Sequence, residues 1–427
     1  MNKGKNIFEF KNTRGIHEGK YYIDNSASLS GYIYLGEYSI INSESLVCNT
    51  TMGRFVDIGR NVRIGLSYIY DNLLMNHPIA YYRNIQKYFT DPDIIQASKD
   101  RYYFENNPIT TIGSDTRVFD GAFIASGVSI GKSCVIYPNS VVVDDVPDYS
   151  VVAGNPAQVL KKRISPAEID LLNKFKIEEI IFNDLLVNDK KYNFSDFEAL
   201  SKLKDQKKIR DIKKYRFTGN PNKKEKSFHS NLLVIGPSHI QRWLSRIESG
   251  KLPEPDYELW GIGGLSIYSQ SIQNLCQFWL SHDDNNKILV FVPDFRIGNS
   301  VLYEKSSNAM FIYKNLMSSI SADSKLKQKT FDILDRLTYK YKERVKFLFW
   351  CQYGRQMINI RAGKYIDPNT GVYNHVFNYE ELKERYRKNI VDIPRVKDYF
   401  SLIESDNSVH PTIDGYRFLD LLIKNNL

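Results

Sequence analysis

The chain has 427 residues, 42% of them hydrophobic and 25% charged, with a formal net charge of +9; that is enough for two or three domains of ordinary globular composition. No apolar run approaches the roughly 20 residues of a membrane-spanning helix, and the opening "MNKGKNIFEFKNTRG" lacks the apolar core of a secretory signal. Cys48, Cys134, Cys276 and Cys351 are far apart and lack metal-ligand spacing, so the expectation is a reduced, cytoplasmic protein with no metal site.

The first element is a repeat with period six. Ile23, Leu29, Leu35, Ile41 and Val47 recur at that step, and Met52, Ile58 and Ile64 resume it after a one-residue slip. Ile112, Val118, Ile124, Ile130, Ile136 and Val142 continue it after an interruption. Neither a helix nor an ordinary strand repeats at six. The period predicts a β-solenoid, each hexad giving one short strand and one corner. One aliphatic side chain per hexad would stack inside a narrow prism, burying a core no single coil could bury. Gly36, Gly53, Gly59, Gly65, Gly113 and Gly131 would let the backbone bend at the corners.

"IGSDTRVFDGAFIASGVSIGKSCVIYPNSVVVDDVPDYSVVAGNPAQVLKKR", residues 112–163, resembles the hexapeptide-repeat acyltransferases with a left-handed parallel β-helix. The closest likeness is to the branch that acetylates xenobiotics and cell-surface sugars. The resemblance spans roughly residues 20–180 and is most specific at Ala153-Gly154-Asn155-Pro156-Ala157. It implies a homotrimer with acetyl-CoA between neighbouring prisms. It also implies that Asn155 lies along the pantetheine arm, with Lys161, Lys162 and Arg163 facing the CoA phosphates. Basic side chains suit phosphate; the alternative is a solvated turn that merely ends the solenoid.

The interruption spans residues 66–110, long for a loop in a compact domain. The resemblance implies that such an excursion carries a histidine acting as general base on the acceptor hydroxyl. This sequence reads "IGLSYIYDNLLMNHPIAYY" there, with Ile69 where the base should stand and His77-Pro78 eight residues later. Either His77 serves as base, or the solenoid is a trimeric scaffold with weak or no acetyl-CoA binding.

Residues 164–227 change character and read as a helical connector and linker. Ser165-Pro166-Ala167-Glu168 has the spacing of a capping box with Pro at the first helical position. A second helix is expected over "SDFEALSKLKDQKKIRDIKKY", then a polar linker "TGNPNKKEKS". Much of the excess positive charge sits in residues 202–226. It is either a solvated face or an attraction for an anionic partner; no nucleic-acid motif accompanies it.

From residue 228 to 427 apolar strands alternate with helices. Strands are expected at Leu232–Ile235, Tyr257–Trp260, Ile288–Val292 and Val345–Trp350. The long segments between them favour a parallel sheet, with ligands beyond the carboxyl ends of its strands. Ser238, in "LLVIGPSHIQRW", falls at one such end. "ESDNSVHPTIDGYRFLDLLI" places His410 before a final helix. A serine after the first strand and a histidine before the last helix resemble the SGNH hydrolases, a three-layer α/β fold. The departures are Gly236-Pro237-Ser238 for Gly-Asp-Ser, and Phe295 or Arg296 where an oxyanion asparagine should stand.

A serine needs an imidazole to become nucleophilic, and a carboxylate fixes the tautomer of that imidazole. The candidates are Ser238 as nucleophile, His410 as base, Asp406 (or Asn407) as orienting group, and the backbone of Gly264 as oxyanion donor, from "WGIGGLS". His239 is set aside, because adjacent residues at a helix start diverge. The expected function is O-acetyl transfer from acetyl-CoA to a hydroxyl of a bacterial surface glycan, a capsular or lipopolysaccharide-type polymer, possibly anionic, near the inner membrane. Two alternatives stay open: an acetyl esterase with an inert solenoid, and direct transfer at His77 with a glycan-binding C-terminal domain.

Overall fold

The aliphatic residues spaced by six line the inside of a parallel β-helix. The computed structural model describes residues 13–66, 107–175, 214–218, 227–228, 230–262, 265–281, 283–293, 303–305, 311–313, 319–350, 379–393, 402, 404 and 410–427. They fall into two compact units, the second beginning at Ser230.

In the first unit the coils stack on three faces. Ile23, Ile41, Ile58, Val118, Ile136 and Val152 pair in succession along one. Leu29, Val47, Ile64, Ile124 and Val142 form the second. Leu35, Met52, Ile112 and Ile130 form the third. Every residue of the six-residue series lies in this one core. Burial of such a side chain stabilises by about 1.5–3 kcal/mol, and a coil donates only three of them, so no coil stands alone.

The slip and the interruption both have local solutions. The chain is one residue shorter from Val47 to Met52 than from Leu29 to Leu35. The mismatch is absorbed at Gly31, which takes a φ of 71°, and at Tyr32, whose N–H donates to Asn49 Oδ1 at 2.9 Å. The long excursion leaves after Gly65 and returns at Asn107, whose carbonyl accepts from Asn49 Nδ2 at 3.1 Å. Met52 then pairs with Ile112 and Ile58 with Val118, so the coil resumes in register.

The corner glycines work differently from the expectation. Gly53 and Gly113 do not make the bend. It is made two residues later by Phe55 and Asp115, both at φ 60°. A side chain on Gly53 would strike the backbone of Ser114, and one on Gly113 the backbone of Lys132. At these two positions glycine is needed because stacked corners touch, whereas Gly65, at a φ of 71°, makes a bend as expected.

Antiparallel strands blunt the solenoid's edges. Ala157–Lys162 pairs with Ser150–Gly154 on one face. Lys214–Thr218 pairs with the first coil strand, Arg14–His17, and Ser227–Phe228 pairs with Lys214–Thr218. This corrects the helix-and-linker reading of residues 214–218 and 227. An exposed strand edge demands a partner, and that demand overrides a weak local helix pattern. The helix Pro166–Phe175 opens with the expected capping box: Ser165 N–H donates to Glu168 Oε2 at 2.7 Å and Glu168 N–H to Ser165 Oγ at 3.3 Å.

In the second unit four parallel strands run in the order Glu258–Gly261, Leu232–Gly236, Lys287–Val292, Val345–Phe349. The helices Ser238–Glu248 and Ile413–Asn426 share one core with Val234, Leu289, Phe291 and Leu348. Gln270–Leu280 contacts the third strand in chain order, and Ser319–Tyr341 the fourth. Leu232–Gly236 lies inside the sheet with the chain's second and third strands on either side. Its carboxyl end is therefore the point where the strand order reverses, the usual ligand position in such sheets.

One buried ion pair ties the first three coils. Arg54 Nε donates to Glu18 Oε2 at 2.6 Å and Tyr34 Oη to Glu18 Oε1 at 2.7 Å. Burial pushes the Glu18 carboxyl up, but Arg54 and Tyr34 outweigh it and hold the group below its usual range. Burial pushes the adjacent His17 imidazole down from 6.5 to about 4. Both groups bind protons more readily in the unfolded chain, so both cost stability as the pH falls. His17 acts between 6.5 and about 4, and Glu18 as the pH falls through its lowered folded value. Calorimetry in pH steps should show the solenoid's unfolding temperature declining from pH 6.5 towards 4, and His17→Gln flattening that slope. Glu18→Gln should cost about 3 kcal/mol at neutral pH, the cost of stranding a buried charge. An unchanged slope in His17→Gln contradicts the assignment.

Candidate functional site

Ser238 is the first residue of the helix Ser238–Glu248, directly after the strand Leu232–Gly236. Pro237 is the N-cap, and its carbonyl accepts from the N–H groups of Ile240 and Gln241 at 3.0 and 3.3 Å. A side chain on Gly236 would meet Ile240 Cγ1 at 2.6 Å and Phe291 Cβ at 3.0 Å. Only glycine lets the strand end this close to the helix it feeds. The first N–H groups of a helix have no partner within it and carry its positive end; that of Ser238 is among them.

His410 Nε2 stands 3.0 Å from Ser238 Oγ, although the two residues are 172 apart in sequence. His410 is 3% exposed. A neutral imidazole at this distance can accept the serine proton through Nε2. The next residues fix its position. Thr412 caps the last helix by accepting from Gly415 N–H at 3.1 Å, and its own N–H donates to Leu402 O at 2.9 Å.

Two arginines fasten the histidine segment to the serine helix. Arg242 Nη1 donates to Glu404 Oε2 at 2.6 Å, and Arg246 Nη2 to Glu404 Oε1 at 2.8 Å. Glu404 N–H in turn donates to the carbonyl of His410 at 2.7 Å. On the other side Tyr416 Oη donates to the carbonyl of His239 at 2.8 Å. The His239 ring stacks on that of His410, with centroids 4.3 Å apart. Sequence reasoning missed Glu404, Tyr416 and this stack. One signal was available: two like charges four residues apart on a helix repel and imply a carboxylate between them.

The turn that follows Glu258–Gly261 folds against the serine strand. Ile262 N–H donates to Gly236 O at 2.8 Å and Leu265 N–H to Ile262 O at 3.1 Å. Gly264 itself, with His77, Ile69, Phe295, Arg296, Asp406 and Asn407, lies outside the described residues. Among the described residues no group of His, Cys, Asp and Glu is placed to hold a metal ion, and no helix is long and apolar enough to cross a membrane.

No protein-family model matches the chain. A chloramphenicol acetyltransferase of Escherichia coli is 27% identical over 179 residues, which cover 40% of this chain and 78% of that protein. A probable macrolide acetyltransferase of Lysinibacillus sphaericus is 42% identical over 67 residues, 16% of this chain and 37% of that protein. The N-terminal part of the chain is thus similar in sequence to acetyltransferases. Among solved structures, a hexapeptide-repeat acetyltransferase of Vibrio cholerae complexed with acetyl-CoA is 21% identical, covering 35% of this chain and 72% of that one, with a TM-score of 0.24. A maltose O-acetyltransferase of Clostridium difficile is 23% identical, covering 34% and 67%, with a TM-score of 0.21.

Within the solenoid Asn155 is exposed and joined to Pro156 by a cis peptide, in the turn between Ser150–Gly154 and Ala157–Lys162. Lys161 is exposed. Lys162 Nζ donates to Asp148 O at 2.6 Å and Ser150 Oγ at 3.2 Å. Arg163 donates to Ser133 O at 3.1 Å and pairs with Asp115 at 3.4 Å. Lys162 and Arg163 therefore also fasten the end of the solenoid, and all three basic residues are exposed.

The arginine clamp makes a testable demand. Glu404→Gln keeps the shape and removes the charge, so Ser238 should react about tenfold more slowly with a fluorophosphonate, the scale of a lost charged hydrogen bond. Thermal unfolding of the same variant checks that the unit remains folded. A folded Glu404→Gln protein with wild-type reactivity contradicts the clamp's role.

Proposed function

We propose that this chain is an O-acetyltransferase that moves acetyl from acetyl-CoA to a hydroxyl of a bacterial surface glycan through an acyl-enzyme on Ser238. The observation that carries the reading is the 3.0 Å contact between Ser238 Oγ and His410 Nε2, in a chain whose N-terminal part is similar in sequence to acetyltransferases. The chain's serine and histidine blocks resemble those of the SGNH hydrolases, with Gly236-Pro237-Ser238 in place of Gly-Asp-Ser. Acetyl-CoA is the donor substrate; Asn155, Lys161, Lys162 and Arg163, all exposed, are the solenoid residues this reading places against it.

Ser238 Oγ attacks the thioester carbonyl while its proton passes to His410 Nε2. The tetrahedral oxyanion is met by the N–H of Ser238 and, in this reading, of Gly264, each donor being worth about 3 kcal/mol. The carbon–sulfur bond then breaks, and the CoA thiolate takes the proton from His410. A sugar hydroxyl attacks the acetyl-serine in the second half, again giving its proton to His410; the bond from the carbonyl carbon to Oγ then breaks, His410 returns the proton to Ser238 Oγ, and the sugar acetate ester departs. Asp406 or Asn407 would orient the imidazole.

A second reading is favoured by that sequence similarity itself. In it the solenoid transfers acetyl directly with His77 as base, and the second unit binds glycan. Incubating the full chain with acetyl-CoA and an acidic bacterial polysaccharide separates the two, with free thiol and sugar-bound acetyl as readouts. The first reading expects glycan-dependent thiol release that Ser238→Ala lowers by at least about a thousandfold, as loss of a nucleophile does, and that His77→Ala leaves intact. The reverse pattern establishes direct transfer. Loss of acetyl already on the glycan, without thiol release, establishes an esterase.

A further inference from the structure

The second unit keeps a small apolar cavity at the carboxyl end of its sheet. Leu265 and Ile267, from the turn after Glu258–Gly261, form one wall. Ile272, in the first turn of Gln270–Leu280, adds another, and residues 290–293 at the end of Lys287–Val292 close it. Ser266 is the one polar residue among those that line it, and its hydroxyl accepts from Tyr268 N–H at 3.2 Å. Every lining residue is buried. The space between them holds about one water-sized body.

Two of these walls meet the strand that leads to the serine. Ile235 pairs with Val290 in parallel register, so Gly236 lies beside Phe291. A side chain on Gly236 would stand 3.0 Å from Phe291 Cβ. On the other side Ile262 N–H donates to the carbonyl of Gly236 at 2.8 Å, and Leu265 N–H to that of Ile262 at 3.1 Å. Ser238 follows Gly236 by two residues, and Pro293 follows Phe291 by two, on neighbouring strands about 4.8 Å apart. The cavity therefore adjoins the serine turn, on walls that hold Gly236 from both sides.

We propose that this cavity receives the methyl of the acyl group carried by Ser238 and restricts the site to acetyl. This rests on the reading of Ser238 as nucleophile, and it adds which acyl groups that serine accepts. A methyl is close to water in size and gains by leaving water for a wall of aliphatic carbons. A sugar hydroxyl would meet only Ser266 among the polar side chains of the lining, and burying it unpaired is costly. Butanoyl carries two more carbons than acetyl. The buried side chains around the cavity cannot make room for them without strain, and one surplus methylene in such a pocket costs about tenfold or more in rate.

The test uses the full chain with 4-nitrophenyl acetate and 4-nitrophenyl butanoate, and reads the release of nitrophenolate from each. In that step Ser238 Oγ bonds to the acyl carbon, the carbon–oxygen bond to nitrophenolate breaks, and the serine proton passes to His410. Wild type should favour acetate over butanoate by about tenfold or more in kcat/KM. Ile267→Ala and Val292→Ala enlarge the cavity from two different walls, and each should cut that preference by about fivefold or more by raising the butanoate value relative to acetate. Equal kcat/KM for the two esters in wild type overturns the proposal. A shifted ratio in either folded variant supports it, and unchanged ratios in the folded variants overturn it. Thermal unfolding identifies a variant that fails to fold; the other variant then decides, and the wild-type preference decides if neither folds. A Ser238→Ala protein that still releases nitrophenolate at the wild-type rate removes the nucleophile reading itself, an outcome distinct from lost selectivity with Ser238 still required.

Discussion

The contact between Ser238 and His410 exists because two distant segments are fastened to one helix. The serine is set by the chain's own geometry, at the first position of a helix that follows a buried strand without a loop. The histidine is set partly by Thr412 just after it and partly by a helix far from it in sequence. Its main chain is held through Glu404, which Arg242 and Arg246 grip from successive turns of the serine helix. The last helix adds a second fastening at the carbonyl of His239. Ser238 Oγ and His410 Nε2 thus share a frame, which in the proposed reading lets a proton pass between them without a search for geometry.

The first unit is governed by a different constraint. A coil carries three inward side chains and exposes two backbone edges, so it is stable only against its neighbours. Each consequence is visible at a particular residue. Corners must touch, so Gly53 and Gly113 cannot carry a side chain. Buried corner hydroxyls bond across coils at Ser45 and Thr116, which donate to the next coil's carbonyls at 2.8 and 2.9 Å. The edges must be covered, and the antiparallel strands Ala157–Lys162 and Lys214–Thr218 cover them.

Much of this was legible in the sequence because it follows a period. One aliphatic residue in six located the core, and the four parallel strands of the second unit were readable as apolar runs, the one expected at Tyr257–Trp260 lying at Glu258–Gly261, whereas the antiparallel pair Tyr303–Lys305 and Phe311–Tyr313 was not. The serine and histidine were readable because each sits at an element boundary. What escaped depended on contacts between distant residues. Lys214–Thr218 is a strand only because the first coil offers an edge. Glu404 matters only through arginines about 160 positions away. His239 was set aside on local geometry, and the stack on His410 makes it part of the site's frame. Lys162 and Arg163 have the composition of a phosphate site, yet their side chains are tied to the solenoid's own acceptors.

The central claim is that an acetyl group resides on Ser238 between donor and acceptor. Rapid quenching of the full chain mixed with acetyl-CoA, followed by mass spectrometry of its peptides, tests this directly. The account predicts that the peptide containing Ser238 gains the mass of one acetyl group before any appears on glycan, and that adding glycan discharges it. Acetylated glycan that accumulates while that peptide never changes mass would contradict it.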